Sequence, residues 1–272
     1  MDHFTEANLA NWNDRAELHA TDKTGLYRIS TVVEGGSALH DLEAGEIGNL
    51  SGKNIVHLQC HIGLDTLSLK HLGAASVTGL DFSPRAIAAA RDFARQAGTE
   101  ARFVEASIYD APKALGDTYD MAFVTWGAIN WLSDIRAWAQ VVADVLKPGG
   151  TLYLLEGHPQ LYQYELRDGK LELTADWRTP SAMPLTYDDA QTYTGDERPI
   201  ANTRNYEWIH PISDVIGALI EAGMAIDFVR EHEIIAWRAF PGMIETALDQ
   251  YALPPGLPRI PMSYSIGATR RG

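Results

Sequence analysis

The sequence predicts an α/β fold built on a doubly wound, largely parallel sheet, and three observations carry that prediction. From Lys53 onward, short apolar runs alternate with longer segments of helical period, the mark of βαβ units. The stretch 54–83 (NIVHLQCHIGLDTLSLKHLGAASVTGLDFS) reads as a buried strand, a turn closed by Gly63, a helix, and a second buried strand ending in an acid, Asp81. In such sheets ligands occupy the crevice beyond the carboxyl ends of the strands, where helix starts present backbone N–H groups, so this stretch marks a nucleotide-cofactor site. Finally, 272 residues, 46% of them apolar and 21% charged, suffice for a full globular core.

Taken in order, residues 1–50 are polar and loop-rich. Helical period over 4–19 and 38–47 predicts N-terminal lid helices, and Trp12, Tyr27 and Arg28 are the most distinctive side chains of this lid segment. Trp12 either closes over the site or only anchors the lid. Strands are expected at 55–59, 77–80, 101–105, 120–125 and 152–156. Helices are expected at 64–72, at 84–97 with Ser83 as N-cap and Pro84 in the first position, and at 135–146, ending at Lys147-Pro148-Gly149-Gly150. The rhythm then breaks. Residues 157–205 hold no long amphipathic helix, alternate weakly over 170–176 and 192–196, and carry Pro159, Pro180, Pro184 and Pro199. That pattern predicts a small β-rich insertion after strand five, over the carboxyl end of the sheet. Residues 51–156 and 206–272 would form the core, which resumes with 206–210, a helix over 212–222 stopped by Gly223, and strands at 226–231 and 262–269. The prolines clustered in 253–261 predict an extended loop across 241–261.

A net charge of −14 and a pI near 5.0 argue against a nucleic-acid partner, because phosphate binding is largely neutralisation by Lys and Arg. No apolar run reaches the roughly 18 residues of a membrane span, and the N-terminus lacks a basic region followed by an apolar one. No membrane association is expected, and a cytoplasmic location is. The single cysteine, Cys60, agrees with a reducing compartment. No metal site is expected at Cys60-His61, since neither a second cysteine nor a His-x3-His or His-x2-Cys partner accompanies them.

Five α/β units, a further helix and two closing strands, with Lys147-Pro148-Gly149-Gly150 ahead of strand five, resemble the class I S-adenosylmethionine-dependent methyltransferases. The resemblance lies at motif level over 50–156 and in element order over 206–269. The run HLQCHIGLDTLS, with Tyr206-Glu207-Trp208 and Pro261-Met262-Ser263-Tyr264-Ser265, is similar to a bacterial subgroup of mostly unassigned substrate. The resemblance implies a Rossmann-like, seven-stranded mixed sheet whose last strand lies antiparallel between strands six and five, with S-adenosyl-L-methionine along strands one to four. Carried over residue by residue, it implies that Leu58, Gln59, Cys60, His61 and Gly63 form the cofactor loop and that Asp81 accepts both ribose hydroxyls, a task that suits an acceptor-only carboxylate. Phe82 and Ser83 follow, the first against adenine. Ser107 and Ile108 would meet the adenine edge, and Thr125 to Ala128 would underlie the methionine portion with Trp126 as a wall. The chain departs from the family at His57, Gln59 and His61, where an acid and two glycines are usual, and at Ser107, where an acid is common. Either Gln59 and His61 supply polar contacts to the amino acid end of the cofactor, or the loop is too bulky and binding is lost.

Methyl transfer from a sulfonium needs an aligned nucleophile about 3 Å from the methyl carbon, and a base only where the acceptor must lose a proton. Glu156 and His158, just past strand five, and His210, ahead of Pro211, are the candidate catalytic residues, each with a purely structural alternative. Trp131, Tyr162, Tyr164, Tyr187, Tyr193 and Trp208 could wall a flat or cationic acceptor or simply be core. Asp176, Asp188, Asp189, Asp196 and Glu197 would repel anions or form a solvated surface. The reading is methyl transfer to a small-molecule acceptor; the alternative is a non-catalytic S-adenosylmethionine-binding or sensing module. A nicotinamide dehydrogenase would need Gly-x-Gly-x-x-Gly after strand one, where this chain has Gln59-Cys60-His61-Ile62-Gly63. Oligomeric state is not legible in the sequence.

Overall fold

The computed structural model describes residues 2–272. Three helices, α1 (His3–His19), α2 (Ile29–Val33) and α3 (Asp41–Glu46), precede β1 (Asn54–Leu58). There follow α4 (Leu64–His71), β2 (Ser76–Asp81), α5 (Pro84–Ala97), β3 (Arg102–Glu105), α6 (Ala111–Leu115), β4 (Tyr119–Thr125), α7 (Ile135–Val145) and β5 (Leu146–Gly157). An insertion carries β6 (Tyr164–Arg167), β7 (Lys170–Leu173), β8 (Leu185–Asp188) and β9 (Arg204–Glu207). The chain closes with α8 (Ile212–Glu221), β10 (Met224–His232), β11 (Ile244–Ala247), β12 (Gln250–Ala252) and β13 (Ser263–Arg270).

The apolar runs pair into one seven-stranded sheet of order β10-β13-β5-β4-β1-β2-β3. β13 is antiparallel to β10 and β5, and the pairs among β1 to β5 are parallel. The chain winds outward from β1 through β2 to β3, then crosses back to β4, so strand order reverses between β1 and β4. A crevice opens at such a switch point. Strands this continuously apolar must be covered on both faces. Val56, Leu58, Ala122, Val124, Leu152 and Leu154 pack toward α7 and α8. Ile55, Met121, Phe123, Tyr153 and Leu155 face the opposite layer with Leu69 of α4. Helix α5 starts as its sequence predicts, with Ser83 Oγ accepting the Ala86 N–H and Pro84 in the first turn, and it ends at the predicted Ala97, where the structure shows Gly98 as the cap at φ 61°.

Four expectations change. Leu39, Ile47 and Leu50 are buried with sheet residues such as Ile55 and Phe123, so the α3 region packs as part of the core layer. Residues 192–196 form no strand; the stretch over 170–176 does, as β7, which pairs with β6. β9, expected where the core resumes, pairs with β8 and extends the insertion to Glu207. Finally, 241–261 is not one loop, because β11 and β12 form a hairpin before the proline-rich segment. No helix among the described residues is long and apolar enough to cross a membrane.

Candidate active site

Beyond the carboxyl ends of β1, β2 and β4 lies a cavity of about 1070 Å³, covered by α1 and by residues 188–199 of the insertion. Single-ligand pockets run to roughly 1,000 Å³, so this volume accommodates a nucleotide-sized cofactor and a second molecule.

The loop after β1 keeps a glycine-type backbone without most of the glycines. Gln59 and His61 have φ of 57° and 50°, and Gly63 has 79°. Left-handed geometry costs a non-glycine residue roughly 1–2 kcal/mol, which the side-chain and backbone contacts must offset. Gln59 Nε2 donates to the Ala128 carbonyl at 2.7 Å, tying this loop to the one after β4, while its Oε1 is buried without a partner. The His61 N–H donates to Asp81 Oδ2 at 2.8 Å. His61 Nε2 lies 3.1 Å from His19 Nδ1, which is also 2.9 Å from the Tyr27 hydroxyl. Burial pushes His61 down to about 3, so its ring is neutral. Trp12 sets its ring edge-on to His61 and Trp131, both across the cavity mouth. At Gly63 an added Cβ would stand 2.6 Å from Ala90 Cβ and 2.7 Å from Phe103 Cε1. That glycine is required by the approach of α5 and β3 as well as by its φ.

Asp81 is the polar centre of this end. Its Oδ1 accepts from the Ser83 N–H at 2.9 Å and its Oδ2 from His61, which leaves about half of the four lone-pair directions of a carboxylate unused. Burial pushes its carboxyl up to about 6, against the pull of those N–H groups. Gln59, Cys60, His61, Gly63, Asp81, Phe82, Ser107, Ile108, Thr125 and Trp126 all line the cavity. Trp126, at φ 55°, is fixed by its Nε1 donating to Glu43 Oε1 at 3.1 Å. Two expected cofactor residues are elsewhere. Leu58 is fully buried under α7, and Ser83 spends its hydroxyl capping α5 and donating to Asn13 Oδ1 at 2.7 Å. His57 turns to Thr66 Oγ1 at 2.9 Å within the layer below.

All three candidate catalytic residues fall outside the cavity lining. Glu156 accepts the N–H groups of Gly127, Ala128 and Ile129 at 2.7, 2.6 and 2.9 Å; it is a buried clamp for the turn after β4. Burial pushes its carboxyl up to about 7 while those N–H groups draw it down. His158 Nδ1 accepts from the Gln160 N–H and its Nε2 meets Glu231 Oε1 at 3.1 Å. His210 Nε2 donates to the Leu132 carbonyl at 2.7 Å, holding α8 to the turn after β4. Of the predicted acceptor aromatics, Trp131, Tyr162 and Tyr193 reach the cavity, whereas Tyr164, Tyr187 and Trp208 do not. Of the acids, Asp188, Asp189 and Glu197 reach it; Asp176 does not, and Asp196 pairs with Arg198.

Among the lining residues that sequence reasoning did not single out are Arg15, Asn130, Glu207 and Trp237. Arg15 sits over the Trp12 and Trp131 rings at 5.7 and 6.0 Å, with Nε on Asn11 Oδ1. Asn130 Nδ2 donates to Glu207 Oε2 at 2.9 Å, and burial pushes Glu207 up to about 7. Only the three- and four-residue spacing of Trp12, Arg15 and His19 along α1 hinted at a shared face, and Glu207 stood within a segment noted solely for resemblance.

Residues 55–150 match a family model described as a methyltransferase domain. Among characterised relatives, the ribosomal protein L11 methyltransferase of Vibrio cholerae is 32% identical over 144 residues, covering 50% of this chain and 47% of that protein. The ubiquinone biosynthesis O-methyltransferase of Cronobacter sakazakii is 29% identical over 142 residues, covering 52% and 53%. The chain thus spans about half the length of the curated relatives it matches. Among solved structures, an S-adenosylmethionine-dependent methyltransferase from Mesorhizobium loti superposes with TM-score 0.55 at 20% identity, over 84% of this chain and 95% of the other. One from Methanosarcina mazei gives 0.56 at 18% identity, over 86% and 98%. Residues 55–150 therefore match a methyltransferase-domain model, in a chain that has the fold of the S-adenosylmethionine-dependent methyltransferases.

Proposed function

We propose that this protein transfers a methyl group from S-adenosylmethionine to a small-molecule acceptor. The observation that carries the reading is Asp81: a buried carboxylate at the end of β2, with lone pairs still free, beside a loop held in glycine-type backbone. The cavity's remaining groups fit the cofactor. Asp81 would accept the ribose hydroxyls, and Phe82, Ser107 and Ile108 would border adenine. The orphan Gln59 Oε1 would accept from the ammonium of the amino acid end, and the guanidinium of Arg15 would face its carboxylate. Bound there, the cofactor supplies an electrophilic methyl carbon; the protein's task is to align an acceptor with it and exclude water. A small acceptor is favoured because the second half of the cavity is covered by α1 and residues 188–199. The single cysteine suits a cytoplasmic setting.

Calorimetric titration with S-adenosylmethionine and S-adenosylhomocysteine tests the reading. Saturable micromolar binding of both is expected, and no heat from either at millimolar concentration would overturn it.

A further inference from the structure

Part of the cavity has no task in holding the cofactor. Asn130, in the turn after β4, is 7% exposed, lines the cavity, and keeps its Oδ1 buried with no donor. The amide cannot simply flip, because its Nδ2 is held by the Glu207 carboxylate and a flip would set oxygen against oxygen. Asn130 is the one hydrogen-bond donor to the Glu207 side chain among the described residues, so two acceptor groups stand together short of donors. Leaving the buried Asn130 oxygen unmet costs free energy that a donor-bearing ligand would recover, and the half-buried Glu207 carboxylate beside it is open to the same ligand. The surroundings select among donors. Trp126, Tyr162 and Trp237 supply aromatic faces, and Asp188, Asp189 and Glu197 share the lining, against Arg15 and Arg238 as its arginines. Aromatic faces and an excess of carboxylates favour a cation over a neutral hydroxyl.

Resting on the methyltransferase reading, we infer that Glu207 and Asn130 bind the ammonium group of an amine acceptor and that Glu207 takes a proton from it. The amine nitrogen, freed of that proton, forms a bond to the methyl carbon. The carbon–sulfur electron pair leaves with sulfur as a thioether, and the product is an N-methylated ammonium. Burial holds the Glu207 carboxyl near 7, with Arg15 opposing and Asp189 reinforcing the shift and Tyr162 and Tyr187 as its neutral neighbours, so proton uptake near neutral pH is accessible.

The test titrates phenethylamine and its neutral isostere 2-phenylethanol into protein saturated with S-adenosylhomocysteine. The wild type is expected to prefer the amine by about tenfold, the size of one charge-assisted hydrogen bond. Glu207→Gln should erase that preference while leaving S-adenosylhomocysteine affinity within about threefold, since the cofactor is held elsewhere. Equal binding of amine and alcohol by the wild type overturns the inference and leaves the cofactor reading intact. A Glu207→Gln loss of S-adenosylhomocysteine affinity, with 5′-methylthioadenosine affinity unchanged, also overturns it, by assigning Glu207 to the cofactor's own ammonium. Failure of S-adenosylhomocysteine to bind at all removes methyl transfer and this inference together. Glu207→Ala provides a second route if the first variant does not fold: removing the carboxylate altogether should also bring the amine-to-alcohol ratio close to one, and a ratio that stays near tenfold counts against the proposal.

Discussion

Asp81 and Glu156 close two strands of the same sheet, and both are buried carboxylates that accept backbone N–H groups. Asp81 receives two such bonds and still faces the cavity. Glu156 receives three and faces none of it. The difference is where each strand ends relative to the switch point. β2 ends beside the crevice between β1 and β4, whereas β5 continues to Gly157 and its acid points back under the turn 127–129. An acid at the carboxyl end of a strand is therefore not in itself a catalytic group; one of this pair builds the wall and the other meets the space the wall encloses.

The largest effect that would sharpen this contrast is expected on the wall. Glu156→Gln replaces one accepting oxygen with a donor facing a backbone N–H, which should cost about 3 kcal/mol. For a chain of this size that lowers the melting temperature by about 6–12 °C. A fall of under about 2 °C in a thermal melt would mean that the turn after β4 holds itself, and the contrast would collapse.

The second effect concerns the site. Asp81→Asn retains one accepting oxygen for the loop but not the charge, and should weaken S-adenosylhomocysteine binding roughly tenfold or more with a smaller change in stability. The pH dependence has a definite sign. The wild-type carboxyl lies at about 6, above the usual value for Asp. Its ionised form is the one with two oxygens free to accept, so affinity should fall as pH drops through about 6 and level off above it. Apo stability runs the other way: a raised carboxyl stabilises the folded chain below its unfolded pKa of about 3.8 and loses that contribution as pH rises through about 6. Titration calorimetry across pH 5 to 8, about the range in which the group changes charge, checks the first slope, and its absence in Asp81→Asn assigns that slope to this residue.

The fold was largely legible because each βαβ unit writes itself locally. The apolar runs expected at 55–59 and 120–125, found at 54–58 and 119–125, and the Ser83-Pro84 helix start are all set by near neighbours. The cavity-lining part of the site was legible where it is tied to those units, as at Gly63, Asp81 and Ile108. The rest depends on contacts distant in sequence. Glu207 meets Asn130 across 77 positions, and Asn8 and Asn11 of α1 hold the backbone at Tyr206 and Asn202. Nothing in the periodicity of either segment announces such a pairing. Glu156, His158 and His210 were chosen by chemical type, which is visible in the sequence; the partners that hold them outside the cavity lining are not.

The smallest effect is expected at Gln59, the residue that most clearly separates this loop from a glycine-rich one. Gln59→Gly releases left-handed strain of roughly 1–2 kcal/mol and removes an orphan acceptor. It also loses the bond to the Ala128 carbonyl and adds unfolded-state freedom, each of about 1 kcal/mol. These nearly cancel, so the melting temperature should move by less than about 4 °C. The side chain's purpose should show in ligand selectivity instead. If its Oε1 accepts from the amino acid end of the cofactor, S-adenosylhomocysteine affinity falls about threefold to tenfold while that of 5′-methylthioadenosine, which lacks that end, is unchanged. Equal losses for both ligands would show that Gln59 only braces the turn after β4. It would then belong with Glu156 among the groups that build the wall rather than with Asp81.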